Sequence, residues 1–183
     1  MSHKALNIYH DGFTLIELLL TVVIALIIAV FSFISLDHLW QGAQSNTIRR
    51  SILYAIYSAR SSASSRDEKA IICKSADGVA CDGSWQQGLI VQSQSGKLLH
   101  ALQFKHYAGI VFARLFPRGR DKLVFLPNGK TEVENGTFWY CFAHANDPHW
   151  ALVINRAGRV RTVFPDKNGM ILDSHHKRLV CSS

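Results

Sequence analysis

The sequence is poor in proline and in acidic residues. Only four of its 183 residues are proline. None lies between Phe13 and Arg66, so one long helix can run through this range without a break. Lysine and arginine number 20 against 13 aspartate and glutamate, a net charge of +7. From Gln41 onward the counts are 19 and 10, a net of +9. This shortage of acid argues against an acidic, enzyme-like cytosolic chain and favours polyanions as partners.

Charge is nearly absent from residues 13–36, where Glu17 is the one ionisable side chain. A helix rises about 1.5 Å per residue, so this segment is about 36 Å long and can cross a bilayer. It does not read as a secretory signal, because a polar leader precedes it, the apolar run is too long and no Ala-x-Ala site follows. The sequence therefore predicts a leader at 1–12, cut at its junction with a transmembrane helix at 13–36.

The junction Gly12-Phe13-Thr-Leu-Ile-Glu17-Leu resembles the class III signal of type IV pilins and pseudopilins. The resemblance implies that a prepilin peptidase cuts between Gly12 and Phe13 and methylates the new amino terminus. Glu17 is then the fifth mature residue, and a carboxylate placed in hydrocarbon is costly unless it has a partner or a function. The resemblance implies a partner in the methylated amine of a neighbouring pilin, paired when the helices assemble into a filament in which other major and minor pilins are the partners.

Beyond the membrane segment, residues 37–68 continue the helix in amphipathic form. Apolar residues recur every three or four positions, at Ile48, Ile52, Ala55, Ile56, Ala59 and Ala63. This spacing predicts an apolar stripe that packs on a globular head, with small alanines that let a sheet approach closely. We expect the helix to end between the Ser61–Ser65 cluster and Asp67.

Residues 69–183 change to short β-rich runs separated by turn residues such as Pro127-Asn-Gly129, Asn135-Gly136 and Ala157-Gly158. The predicted strands are Ala70–Lys74, Trp85–Gln92, Leu98–Phe104, Ile110–Phe116, Lys122–Leu126, Thr137–Ala143, Trp150–Asn155 and Arg159–Phe164. No helix-length pattern separates them, so the sheets are expected to be antiparallel. The predicted fold class is α+β, with a long N-terminal helix packed on an antiparallel β-sheet head.

Four cysteines lie at Cys73, Cys81, Cys141 and Cys181, and four cysteines allow three pairings. Cys73 and Cys81 flank a short loop, which favours a local bridge and leaves Cys141 to tie down the tail through Cys181. The alternative is a zinc site, but no Cys-x-x-Cys or paired histidine spacing supports it. Disulfides are the favoured interpretation for a head placed across a membrane in an oxidising compartment.

Three segments of the head resemble the H-type pseudopilin and FimT minor-pilin family: Trp85-Gln-Gln-Gly88, Phe125-Leu-Pro-Asn-Gly129 and Ile154-Asn-Arg-Ala-Gly-Arg-Val-Arg161. The resemblance implies a type IV pilin fold, in agreement with the pattern of strands. We find no catalytic constellation, phosphate-binding loop or nucleophile elbow, and predict neither a cofactor nor a metal. The chain is not expected to be an enzyme.

The segment Trp150–Phe164 reads as a hairpin with Gly158 in its turn. Residues alternate faces along a strand, so Arg159 and Arg161 share one side and Arg156 lies at the tip. Arginine suits phosphate because its planar fork donates two hydrogen bonds and stays charged. Gly158-Arg-Val-Arg161 also resembles the Gly-Arg-x-Arg motif that is linked, in FimT minor pilins, to DNA capture during natural transformation. The alternative is a solvated strand face that resists edge pairing.

The predicted function is therefore non-specific binding of double-stranded DNA by a pilus subunit held in the inner membrane, with a periplasmic head. Five further basic residues are candidate flanks of the DNA site: Arg118, Arg120, Lys122, Lys177 and Arg178. Asp121 interrupts the first group. The alternative function is a structural tip or priming subunit of a pilus or a type II secretion pseudopilus, without DNA binding.

Overall fold

The structure is a computed structural model that describes residues 14–105, 107–133, 135–173 and 176–181, without the side chains of residues 31–38. The predicted leader at 1–12 and its junction with Phe13 lie outside the described residues. The chain divides into two compact units, one ending at Trp40 and the other running from Gln41 to Ser183.

Helix α1 extends over Leu15–Arg66, and Thr14 caps its first turn. The backbone N–H of Glu17 donates to the Thr14 hydroxyl at 3.4 Å. The Glu17 carboxylate lies in the first helical turn, where the helix dipole favours negative charge. In the first unit, the side chains of residues 14–30 are exposed. Within the described residues, no helix is both long and apolar enough to cross a membrane.

In the second unit, α1 buries the apolar stripe that its sequence predicts. The buried positions, each at most 1% exposed, are Ile48, Ile52, Ala55, Ile56, Ala59 and Ala63. Burying one isoleucine side chain contributes about 1.5–3 kcal/mol relative to exposure, so the three isoleucines hold the helix firmly to the head. The helix ends at Arg66, and Asp67 follows with a left-handed φ of 52°, a common way to close a helix.

In the described residues, eight strands follow α1, and all eight correspond to strands predicted from the sequence. They are β1 Ala70–Lys74, β2 Gly88–Ser93, β3 Leu98–Gln103, β4 Gly109–Phe116, β5 Lys122–Phe125, β6 Asn135–Phe142, β7 Trp150–Ile154 and β8 Val160–Val163. They form two antiparallel sheets with the orders β3-β2-β1-β5 and β4-β6-β7-β8. Residues of α1 and of both sheets share one hydrophobic core, so the α+β fold class is confirmed.

Two local predictions were wrong. Trp85 does not begin a strand, because residues 85–87 form a turn in which the Gln87 N–H donates to the Ser84 carbonyl at 3.1 Å. The Trp85 ring instead packs edge-on against Phe138, at 5.3 Å between ring centroids. Asn135-Gly136 does not form a turn but begins β6, since both residues pair with the end of β4. At Trp85 a local turn decides the conformation, and at Asn135-Gly136 pairing with a distant strand decides it.

The carboxyl-terminal segment covers the outer face of the second sheet. Ile171 and Leu179 pack with Trp139 and Ala151 in a separate apolar cluster, and the Trp139 indole N–H donates to the Val180 carbonyl at 3.1 Å. The disulfides join Cys73 to Cys81 and Cys141 to Cys181, with Cα–Cα distances of 5.5 and 5.9 Å. These are the pairs that the sequence favours, and the second pins the segment to β6.

Candidate nucleic-acid interface

The turn between β7 and β8 is a tightly hydrogen-bonded hairpin, here called the arginine turn (residues 155–159). The Asn155 N–H donates to the Arg159 carbonyl at 3.1 Å, and the Gly158 N–H donates to the Asn155 carbonyl at 2.9 Å. The Asn155 side-chain oxygen also accepts from the Arg159 N–H at 3.0 Å. Gly158 has a φ of +71°, a conformation that glycine adopts without steric cost. The turn therefore has one defined shape.

Gly158 is required for a second reason, which is its close approach to the loop that follows β5. A Cβ atom added at Gly158 would lie 2.2 Å from the carbonyl oxygen of Gly129 and 3.3 Å from the Phe125 ring. No side chain fits in that space without moving the backbone. The arginine turn is thus seated directly on the loop of residues 126–131.

Two residues from other elements fix the turn through its carbonyl groups. Thr131 donates to the Arg156 carbonyl from its backbone N–H at 3.1 Å and from its hydroxyl at 3.3 Å. The guanidinium of Arg60, on α1, donates to the Gly158 carbonyl at 3.3 Å. The sequence analysis missed Arg60, although it follows Ile52 and Ile56 at four-residue spacing and so lies beside the buried stripe.

The three predicted arginines are brought together and are exposed. Arg161 stands opposite Val153 on the outer face of the sheet, whereas Val160 pairs with Ile154 and packs against the core. The alternation predicted from the sequence is therefore correct. No ion pair joins Arg156, Arg159 or Arg161 to a carboxylate in the part of the chain that the structure describes.

The electrostatic environment is not equal along the row of arginines. Arg161 lines a groove of about 300 Å³ together with Asp166 and Asp173. Asp173 is only 3% exposed, and its carboxylate accepts from the Arg114 guanidinium at 3.2 Å. Arg156 and Arg159 do not line this groove. Of the three arginines, Arg161 is therefore the one that shares a groove with carboxylates.

The candidate flanks also differ in their surroundings. Arg178 forms an ion pair with Asp147 at 2.8 Å, while Lys177 is exposed. On the other side, Arg118, Arg120 and Lys122 are exposed.

Asp121, expected to interrupt this second group, is partly neutralised because its carboxylate lies 3.1 Å from the Lys74 ammonium.

The described groups with displaced pKa values lie away from the arginine turn. Burial and the nearby Arg49 charge lower the pKa of His149, and backbone N–H donors at Val79 and Ala80 lower the pKa of Asp77.

Comparison with known proteins identifies the family of this chain. The family described as type II transport protein GspH matches residues 49–158, which is more than half of the chain. The chain belongs to the GspH family. The match extends from the part of α1 that packs on the head to Gly158, so the arginine turn lies at its carboxyl-terminal limit. Proteins of this family are structural subunits.

A prokaryotic N-terminal methylation motif matches residues 9–33. The motif implies prepilin processing, membrane anchoring and association with other pilins. Two crystal structures of the type IV minor pilin FimU from Pseudomonas aeruginosa strain PAO1 are similar to this chain. The form in space group P21 is 21% identical, covers 69% of this chain and 90% of FimU, and has a TM-score of 0.48. The form in space group P65 is 20% identical, covers 59% of this chain and 83% of FimU, and has a TM-score of 0.44. No curated protein gives a significant match.

Proposed function

We propose that this minor pilin binds extracellular double-stranded DNA through Arg156, Arg159 and Arg161, for uptake in natural transformation. One observation carries the proposal: Arg156 and Arg159 lie exposed on a turn of defined shape, Arg161 lies exposed on the strand that follows it, and no described carboxylate pairs with the three. Guanidiniums form strong bidentate hydrogen bonds with phosphate. Gly158 belongs to the site because its φ and its packing give the turn that shape.

The proposed binding is weak and indifferent to sequence. Contacts with phosphates position a protein on the duplex but do not read bases. Neutralising three phosphates gives a log–log salt slope of about −2.7, so a fourfold rise in salt weakens binding roughly 40-fold. Several heads in one filament would raise the effective concentration and hold a duplex that a single head releases.

The proposal includes how the chain reaches its place of action. A prepilin peptidase cuts between Gly12 and Phe13 and methylates the new terminus, and residues 13–36 cross the inner membrane once with the head in the periplasm. Glu17 then pairs with the methylated amine of a neighbouring pilin during assembly. The methylation motif at residues 9–33 supports this route.

The direct test is a titration of fluorescently labelled duplex DNA with the full chain in a non-ionic detergent, followed by anisotropy. We expect Arg159→Ala/Arg161→Ala to weaken binding at least tenfold and to lower the salt slope by about 1.8. The matched control is Arg50→Ala/Arg66→Ala, which removes two exposed arginines of α1 and should leave binding nearly unchanged. Equal affinity of the turn variant and the wild type would refute DNA binding at this site.

The second candidate function is a structural tip or priming subunit of a type II secretion pseudopilus or a pilus. The GspH family description favours it. A transformation assay on cells carrying Arg159→Gln/Arg161→Gln, with pili counted in parallel, separates the two functions. DNA capture predicts lost uptake with normal pili, whereas a purely structural role predicts that uptake and piliation stay unchanged or fall together.

A further inference from the structure

We infer that the bound duplex extends from the arginine turn along β5, over Lys130, Lys122 and Arg118, and not toward the carboxyl-terminal segment. These three residues are here called the β5 strip. The inference rests on the proposed function, and it assigns the strip as a second set of phosphate contacts with a definite direction across the head.

Lys130 lies immediately beside the arginine turn. Its two chain neighbours both contact the turn, since Gly129 approaches Gly158 closely and Thr131 donates to the Arg156 carbonyl. The Lys130 side chain is exposed, and no described group pairs with its ammonium. Its ammonium therefore adds a fourth free cation next to Arg156.

Lys122 and Arg118 continue the same line. Lys122 begins β5 and is three residues from Phe125, whose ring lies 3.3 Å from a Cβ built on Gly158. A strand advances about 3.3 Å per residue, so Lys122 is roughly 10 Å from this contact. That distance equals the rise of about three base pairs, which carry about six phosphates on the two strands. Arg118 lies beyond Lys122 in the β4–β5 connection, and both side chains are exposed.

The described acidic residues along β5 each have a lysine partner. Asp121 is paired with Lys74, and Glu132, whose N–H bonds to the Val124 carbonyl at the edge of β5, is paired with Lys69. Lys69 precedes β1 and Lys74 is its last residue, and β1 is the strand that pairs with β5. An incoming phosphate thus meets carboxylates that have counter-charges of their own.

The opposite direction is less favourable for a polyanion. Beyond Arg161, the groove presents Asp166 and the buried Asp173. Further along, Arg178 is held by Asp147 at 2.8 Å, so a phosphate would have to compete with a carboxylate for it. Among the described residues, the acids along β5 are paired with lysines that are not part of the strip, whereas Arg178 is itself engaged by Asp147 and Asp166 forms no ion pair.

The test measures salt slopes for the full chain in non-ionic detergent with labelled duplex. Lys122→Gln/Lys130→Gln is compared with the matched pair Lys177→Gln/Arg178→Gln, which removes the same charge on the other side. If each strip lysine neutralises one phosphate, the first variant lowers the slope by about 1.8. The ratio of wild-type to variant affinity then changes about 12-fold between 50 and 200 mM salt, whereas the second variant follows the wild type.

The outcomes separate this inference from the proposed function. If the strip variant keeps the wild-type slope while Arg159→Ala/Arg161→Ala loses binding, DNA binds at the turn but does not follow β5. A larger loss in Lys177→Gln/Arg178→Gln would reverse the direction and overturn the inference as well. If the turn variant binds as the wild type does, the proposed function itself fails.

Discussion

Replacing Gly158 with alanine should destabilise the head more than the same change at any open turn. An alanine at φ +71° costs about 1–2 kcal/mol. Its Cβ would lie 2.2 Å from the Gly129 carbonyl oxygen, so the turn must move by nearly 1 Å. That movement breaks the bonds from Thr131 and Arg60, three in all and worth about 1 kcal/mol each. We expect a total loss of about 4–5 kcal/mol in the free energy of unfolding.

Gly96→Ala is the control, because Gly96 also has a positive φ, +84°, but a Cβ there meets nothing within 4 Å. It should lose only the 1–2 kcal/mol of the backbone conformation. Urea unfolding of the full chain in detergent, followed by the fluorescence of the buried Trp150, gives both free energies. If the two variants lose the same stability, the contact between the arginine turn and the 126–131 loop contributes nothing, and our account of the turn is wrong.

Three further predictions use the same unfolding measurement. Arg60→Met should cost about 1 kcal/mol and also weaken DNA binding, with partial recovery in Arg60→Lys; unchanged stability and affinity would remove its positioning role. The double variant Cys141→Ser/Cys181→Ser opens a bridge between residues 40 apart, and should lose about 4 kcal/mol; a loss below 1 kcal/mol would contradict this. Because burial and Arg49 lower the pKa of His149, the unfolded chain protonates first, so stability should fall as pH drops through about 6.5. His149→Gln should flatten that fall, and an unaltered profile would rule out His149 as its source.

Local patterns were sufficient for much of the fold. The stripe at Ile48, Ile52 and Ile56 is a periodic signal that depends only on the helix, and β1 matches the prediction at both ends. Asn135-Gly136 was misread because its turn propensity is local, whereas its strand conformation comes from pairing with β4, about 20 residues earlier. Pairing with a remote strand outweighed local propensity there.

In the candidate site, too, the features set by local pattern could be predicted and those set by distant residues could not. The alternation of Arg159 and Arg161 follows from the two-residue period of a strand and could be predicted. The hydrogen bond from Arg60 to the Gly158 carbonyl could not be predicted, because the two residues are 98 positions apart in the chain. The acids beside Arg161 come from a segment that folds back across the sheet, and no pattern near the arginines reveals them.

The attachment of the arginine turn to α1 has a mechanical consequence. β8 is an edge strand held on one side by the ladder to β7, and a pull applied at a hairpin tip would unzip such a pair one bond at a time. The hydrogen bonds from Arg60 and Thr131 carry part of the force instead, to α1 and to the loop of residues 126–131. A force applied at the arginine turn would therefore reach α1 without first peeling the sheet apart.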